Sequence, residues 1–388
     1  MKKTLSLLAA LVMALSIVLP VMAEEGPIKL GAISPNTGAL AAYGAAVSNG
    51  IDLAVAEINA AGGVLGRQLA VTHMDDKFDA TEGANAFNKL VSDGVSAVIG
   101  SVTSGITAGL ASLADAKGML LLTPTATADT VTEGFHGIFR ACYKDSFQGA
   151  MAARMSFELG VKKVAILYAS GDTYSAGLYE SFKAAASTLG MEVVAIESSS
   201  STSDTDYTTQ LTNIVASGAE LIFAPYYYDS IGPYIVPQAR NAGFTGFFAG
   251  ADGWDGTTGT MVEDKSLYNK SFFVNHYAQD DPSPVVQNFV KAYTDMFSAE
   301  SLNALAALAY DSVYMLKQAI EAAGTDKTAD IITAMTGMNF IGVTGNFILD
   351  KDGTPVKSVA VIELKDGAAM QYSTMEEGKD TIFAATVK

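Results

Sequence analysis

The sequence has one cysteine, Cys142, in 388 residues. A single cysteine excludes an internal disulfide, so the core alone has to hold the fold, and Cys142 is expected as a small buried residue. Basic residues are also scarce. The 24 Lys and Arg are outnumbered by 41 Asp and Glu, and the formal net charge of −17 makes nucleic acid and anionic lipid unsuitable partners. The three histidines, His73, His136 and His276, stand far apart, without metal-ligand spacing. No G-x-S-x-G elbow, S-x-x-K, H-E-x-x-H, G-x-x-x-x-G-K-[ST] or G-x-G-x-x-G motif occurs. An enzyme is therefore not expected, and no catalytic residue, metal or cofactor is assigned. Asp350-Lys351-Asp352-Gly353 has a passing likeness to a calcium loop, but EF-hand spacing is absent and the segment reads as a hairpin turn.

Long apolar runs are confined to the N-terminus. Lys2 and Lys3 precede an apolar stretch, Leu5–Leu19, and Val21-Met22-Ala23 supplies a small-x-small cleavage site, so residues 1–23 read as an export signal. The stretch is shorter than the roughly 20 residues that a spanning helix needs. No cysteine stands at the cleavage point to carry a lipid. A soluble, monomeric protein of the periplasm is expected.

The remaining chain is long enough for two domains of ordinary size. Apolar runs at Ile28–Ile33, Leu69–Met74, Val95–Ile99, Met119–Leu122, Val164–Tyr168, Glu192–Ile196, Leu221–Ala224, Gly246–Ala249 and Ser271–Val274 alternate with helical patterns. Val47, Ile51, Ala54 and Ile58 recur at helical spacing, as do Ile106, Leu110 and Leu113. Strands alternating with helices of this length predict βαβ units on parallel sheets. The series occurs twice, over residues 28–140 and 163–275. Helices across 284–337 come too late for the second sheet, so the chain is expected to return to the first domain. It then crosses again near Thr344–Asp350 and ends in strands around Ser358–Leu364. The predicted domains are 27–142 with 276–346, and 143–275 with 347–388. Ser198–Ser203 reads as a polar loop, with Asp204 capping the next helix.

The two halves echo each other. Val95–Gly105 parallels Ala219–Asp229, and Met119–Thr127 parallels Gly246–Trp254, each a strand ending in a polar loop. Ligands of open α/β sheets bind at the carboxyl ends of the strands, and pockets favour domain interfaces. Ser104 stands where a helix begins, suited to an α-carboxylate; a helix cap is its ordinary structural alternative. Thr125 and Thr127 offer hydroxyls and carbonyls at the next strand end, or serve only as turn residues after Pro124. A buried ammonium needs an opposite charge. Asp252 is the candidate, with an Asx turn as the alternative. Trp254 forms an apolar wall or packs in the core, and Tyr43, Tyr174 and Tyr228 line a side-chain pocket or simply pack. Together these residues suit an amino acid zwitterion.

With those residues assembled, the chain resembles the periplasmic leucine/isoleucine/valine-binding protein family, of the type I solute-binding fold. The resemblance covers nearly all of the mature chain. It rests on IKLGAISPNTGALAAYG, AEINAAGGVLG at Ala56–Gly66, MDDKFDATEGANAFNKLVSDGVSAVIGSVTSG, TPTATAD, PQARNAG at Pro237–Gly243 and GADGW. It implies an α/β fold of two doubly wound parallel-sheet domains joined by a three-strand hinge. Ser104 and Thr127 would contact a ligand carboxylate, Thr127 and the Thr125 carbonyl would lie near the ammonium, and Asp252 would balance its charge. Tyr43, Tyr174 and Tyr228 match pocket positions. The implied function is capture of a branched-chain or other aliphatic amino acid by hinge closure, with delivery to an ABC transporter permease and, through it, the ATPase subunits. The alternative is a receptor of the same fold for an amino acid, amide or aromatic acid, relaying to a membrane signalling protein. Three positions depart from the family pattern. Phe78 and Thr103 stand where some members have a cysteine pair, the acid is Asp rather than Glu, and Trp254 is bulkier than the aliphatic residue of some relatives.

Overall fold

Five short segments of the first half build one parallel sheet in a computed structural model that describes residues 26–375. They are β1 (Ile28–Ser34), β2 (Leu69–Asp75), β3 (Ala97–Ile99), β4 (Leu121–Thr123) and β5 (Ile138–Arg140), in the order β2-β1-β3-β4-β5. Residues 1–23, read from the sequence as an export signal, lie outside the described part. Helices Ala41–Ala60, Ala80–Ser92 and Ser104–Lys117 make the crossovers. They cover both faces, as continuous apolar strands require. The strand order reverses between β1 and β3, where a doubly wound sheet opens a crevice at its carboxyl ends.

The second half repeats this topology. β6 (Lys163–Ala169), β7 (Glu192–Ser199), β8 (Leu221–Phe223), β9 (Phe247–Gly250) and β10 (Ser271–Asn275) run parallel in the order β7-β6-β8-β9-β10. After the helices that follow, β11 (Asn339–Gly342) and β12 (Gly345–Ile348) form a separate antiparallel pair. β13 (Val359–Lys365) and β14 (Ala368–Met375) then extend the second sheet antiparallel beside β10. This is the α/β architecture of two doubly wound sheets expected from the sequence.

The helix Ala304–Ala323 lies along Ala41–Ala60. Gly50 allows that approach: a Cβ placed there would meet the Ala306 carbonyl oxygen at 2.2 Å. The main apolar core runs continuously from β1 and β3 through Ala141–Tyr143 to β6 and β8. The chain passes between the sheets after β5, after β10 and between β12 and β13.

Three local expectations are corrected. Residues 28–140 carry five strands, not four: β5 spans three residues and ends on an arginine, so it lacks a readable apolar run. The β11–β12 pair was hidden behind the helical pattern preceding it. Asp204 does not cap the helix Thr208–Ala216, whose preceding residue is Tyr207. Its Oδ2 instead accepts from Ser200 N at 3.0 Å, Ser200 Oγ at 3.1 Å and Ser201 N at 3.3 Å, closing the polar loop on itself. Asp350–Gly353 does form a turn, closed by Gly353 N donating to Asp350 O at 3.1 Å, but a single bridge between Leu349 and Pro355 flanks it rather than paired strands.

Candidate functional site

The loops after β3 and β4 are knitted together by their own hydroxyls. Thr123 Oγ1 donates to Ser101 O at 2.8 Å, and Thr125 Oγ1 donates to Val102 O at 2.8 Å. Ser101 Oγ donates to the buried carboxylate of Asp76. Ser104 is the first residue of its helix rather than a cap, and its Oγ accepts from Ala128 N at 3.1 Å. Arg140, fully buried on β5, holds the second loop from beneath. Nη1 donates to Ala126 O and Thr127 O at 3.2 and 2.8 Å, and Nη2 to Ala128 O at 2.9 Å. The guanidinium so gathers carbonyls away from the cleft.

Asp252 faces these loops from the end of β9. Its Oδ1 accepts from Tyr174 Oη at 2.9 Å, its Oδ2 lies 3.0 Å from His276 Nε2, and its backbone N–H donates to Gln148 Oε1 at 3.0 Å. Tyr174 Oη also accepts from Gly253 N at 2.8 Å, which fixes the phenol and the GADGW turn together. The Tyr174 ring stacks on Tyr227, with centroids 5.2 Å apart. Tyr227 Oη reaches Asp172 Oδ2 at 3.3 Å, and Asp172 caps the helix Thr173–Thr188 by accepting from Ser175 N.

Between the two faces lies a cavity of about 20 Å³. Tyr43, Thr103, Ser104 and Thr125 line it from the first-sheet side, with Leu305; Tyr174, Tyr227, Asp252 and Gly253 line it from the other. The cleft is closed over it. Tyr43 Oη donates to Gly253 O, and Tyr228 Oη donates to Ala39 O at 3.1 Å. Several buried polar atoms around the cleft have no hydrogen-bond partner: Thr103 Oγ1, Thr127 Oγ1, Asp145 Oδ2 and Tyr143 Oη. Native interiors leave few such groups, and of these four Thr103 lines the cavity, where a polar ligand would complete its hydroxyl. A larger groove of about 550 Å³ runs between the helix Ala304–Ala323 and β11, away from this chemistry.

Burial raises the phenols of Tyr43, Tyr174 and Tyr227 well above their ordinary range, with nearby carboxylates adding to it. These groups are neutral hydrogen-bonding groups at neutral pH. Burial likewise pushes the Cys142 thiol up to about 12, which leaves it a small packed residue. The Asp145 carboxyl is raised by burial and then by Asp252.

The structure brings Ser104, Thr125, Asp252, Tyr43 and Tyr174 to one cavity. Thr127 sits a layer behind, fully buried, with its carbonyl bonded to Arg140 and to Asp145 N. Tyr228 also lies behind the wall, and its neighbour Tyr227, absent from the sequence-based set, takes the lining position. The chain leaves β8 extended through Tyr227 and turns helical at Tyr228. Successive side chains in extended backbone point to opposite faces, so Tyr226 enters the core and Tyr227 the cleft.

Trp254 does not line the cavity. It is fully buried, its Nε1 donates to Ala224 O at 2.7 Å, and its indole lies flat over Gly250, where an added Cβ would sit 2.3 Å away. The core reading of this residue is the one the structure adopts. Arg140, Thr103 and His276 were not singled out for the site; a conspicuously placed arginine at a strand end was the available signal for the first. Phe78 packs edge-on against Tyr227, 6.2 Å between centroids, outside the cavity wall.

Two lobes of like topology with a buried site divided between their strand ends define a type I periplasmic-binding-protein fold. The chain belongs to the periplasmic binding protein family, whose model matches residues 27–369. It is 31% identical to a Leu/Ile/Val-binding protein homologue of Brucella melitensis, over 81% of this chain and 84% of that one. Among solved structures, a leucine-binding protein of Thermotoga maritima aligns with a TM-score of 0.83 and 30% identity, covering 90% of this chain and 99% of its own. A branched-chain amino acid transporter substrate-binding protein of Streptococcus pneumoniae, in complex with isoleucine, aligns with a TM-score of 0.82 and 32% identity, covering 92% and 99%. Among the described residues no helix is long and apolar enough to cross a membrane.

Proposed function

We propose that this protein captures an aliphatic amino acid, branched-chain ones foremost, outside the cytoplasm and delivers it to an ABC transporter permease. The observation that carries this reading is the pairing across one buried cavity. An anionic Asp252 lies on one side, and hydroxyls from Thr103 and Ser104 at a helix start lie on the other. A zwitterion matches that polarity: its ammonium meets the carboxylate, and its carboxylate meets the helix N-terminus. Thr127 and Thr125 support the same end of the ligand through the loop they build. Tyr43, Tyr227, Val102 and Leu305 supply surface for an aliphatic side chain. Its relatives are named for leucine, isoleucine and valine, which favours the same ligand class.

A cavity of about 20 Å³ holds little more than a water. An amino acid therefore enters only when the lobes part and Tyr43 releases Gly253. Residues 27–142 with 276–346 are proposed to move against 143–275 with 347–388, as a monomer exported through the signal at 1–23. The closed form is the one presented to the permease and, through it, to its ATPase subunits.

The test is mass spectrometry of small molecules released from the purified protein, followed by a thermal-shift panel. A tight binder raises the melting point by mass action. Leucine, isoleucine or valine should give the largest shifts. Shifts from benzoate-like acids or amides alone would replace the amino acid with one of those ligands, a reading to which the tyrosine-lined wall also lends itself.

A further inference from the structure

His276 is fully buried, directly after β10, in the second passage of the chain between the sheets. Its Nε2 lies 3.0 Å from Asp252 Oδ2, and its Nδ1 has no partner. An orphaned N–H in such a place costs more than an orphaned lone pair. The proton therefore belongs on Nε2, donated to Asp252. Asp252 and the Tyr143 ring touch the imidazole, Lys357 acts on it through its charge, and the charges of Asp145 and Asp255 are felt at the Tyr143 phenol. Burial lowers the imidazole pKa to about 4 against the upward pull of the Asp252 hydrogen bond and charge, and Lys357 opposes its protonation further. The ring is neutral at neutral pH.

The same ring is fixed to the first passage, to which the third is bonded in turn. It stacks on Tyr143 in the first passage, with centroids 3.8 Å apart and planes at 28°. Lys357, in the third, donates to Ala141 O at 2.9 Å and to Thr344 Oγ1 at 3.0 Å. Thr344 Oγ1 in turn donates to Asp311 Oδ2 at 2.7 Å. All three passages are thus joined around the back of Asp252.

We propose that His276 is a positioning residue of the site: a neutral donor anchored in the chain passages, which aims the Asp252 carboxylate into the cleft without cancelling its charge. A protonated histidine at this place would form an ion pair with Asp252 and leave the cleft without net attraction for an ammonium. A neutral Nε2–H fixes one oxygen while the whole negative charge remains, and each carboxylate oxygen keeps a lone pair for the ligand. His276 thereby sets the preference for cationic over neutral head groups. The inference rests on the amino acid reading above.

The experiment measures binding of L-leucine and of isocaproate, its deaminated analogue, by calorimetry at pH 7. The proteins are the natural chain, His276→Phe and His276→Gln. Phenylalanine keeps the stack on Tyr143 and removes the donor; glutamine returns an amide N–H. L-leucine affinity is expected to fall roughly ten- to a hundredfold in His276→Phe and to recover largely in His276→Gln, while isocaproate affinity moves less than about threefold. Equal losses for both compounds, or no loss for L-leucine, would overturn the proposal. Failure of the natural chain to bind L-leucine would instead count against the amino acid reading. Nitrogen NMR of the imidazoles in the natural chain decides the proposal in that case, or if His276→Phe does not fold. A neutral Nε2–H tautomer at pH 7 supports it, and an imidazolium or an Nδ1–H tautomer at His276 overturns it.

Discussion

The carboxylate of Asp255, on the second-sheet side, accepts from the backbone N–H of Ala304 at 2.7 Å, at the start of the helix that packs on the first lobe. Asn303 caps the same helix by accepting from Leu305 N and Ala306 N, so Asp255 takes an amide that the cap leaves free. An acid at a helix N-terminus meets both an unpaired donor and the positive end of the helix dipole. Asn275 Nδ2 steadies the carboxylate at 2.8 Å. The contact ties the lobes together outside the ligand cavity.

Asp255→Ala is therefore predicted to weaken ligand binding without touching the cavity wall, by about 1–3 kcal/mol, the usual cost of leaving a buried donor unpaired. Calorimetry with L-leucine gives the loss, and small-angle scattering gives its origin. The liganded variant should retain more of the extended form than the natural chain. An unchanged affinity would show that the contact adds nothing to closure.

Asp252→Ala removes the only carboxylate among the cavity-lining residues. Loss of one partner of a buried charge pair costs about 2–5 kcal/mol, so L-leucine binding should fall by that amount. The melting point of the unliganded protein should change far less than the affinity. Unaltered binding of the best ligand would remove Asp252 from the site.

Arg140→Met is predicted to destabilise the chain by about 3 kcal/mol, because the carbonyls of Ala126, Thr127 and Ala128 lose a common buried donor. Urea unfolding measures this. Ligand affinity should fall too, since the loop carrying Thr125 and Thr127 loses its floor.

The pH dependence of stability has a defined part from His276. Its folded pKa is lowered from 6.5 to about 4, so between those values the unfolded chain binds a proton that the folded chain does not. Stability is then full above pH 6.5 and falls as the pH drops toward 4, by of order 3 kcal/mol. Denaturation midpoints of the natural chain and of His276→Gln should converge as the pH falls through this window. Parallel curves would show that the imidazole is not held neutral.

Gly50→Ala is expected to force apart the helices Ala41–Ala60 and Ala304–Ala323, because the new methyl would meet a backbone oxygen that cannot swing away. Overpacking of this kind costs about 1–3 kcal/mol, readable as a lower urea midpoint.

Much of the fold was legible because it is written locally. The runs Ile28–Ile33, broken only by the exposed Lys29, and Val164–Tyr168 are apolar, as strands covered on both faces must be, and both became central strands. β5 was not legible, since three residues ending in Arg140 acquire strand character only by pairing with β4. For the site, Ser104 and Asp252 were readable from strand-end position and charge. Ser104 was not resolved between cap and cleft roles by sequence, because the amide it accepts from, Ala128, lies in another loop. The three consecutive tyrosines Tyr226–Tyr228 offered no ordering until the backbone direction after β8 was known.

The sequence by itself determined that there are two similar α/β halves, and it set the hydroxyl-rich strand ends near Ser104 and the acid at Asp252 as candidate site residues. Period and composition are properties of short segments and survive without tertiary context. Only the tertiary structure decided that Tyr227 lines the cavity, that Trp254 closes the core over Gly250, that Arg140 supports the hydroxyl loop and that His276 stands behind Asp252. Each joins segments that only the packing of neighbouring strand ends brings together: Arg140 reaches Thr127 across 13 residues, His276 reaches Asp252 across 24, and Trp254 reaches Ala224 across 30. No local pattern encodes that distance.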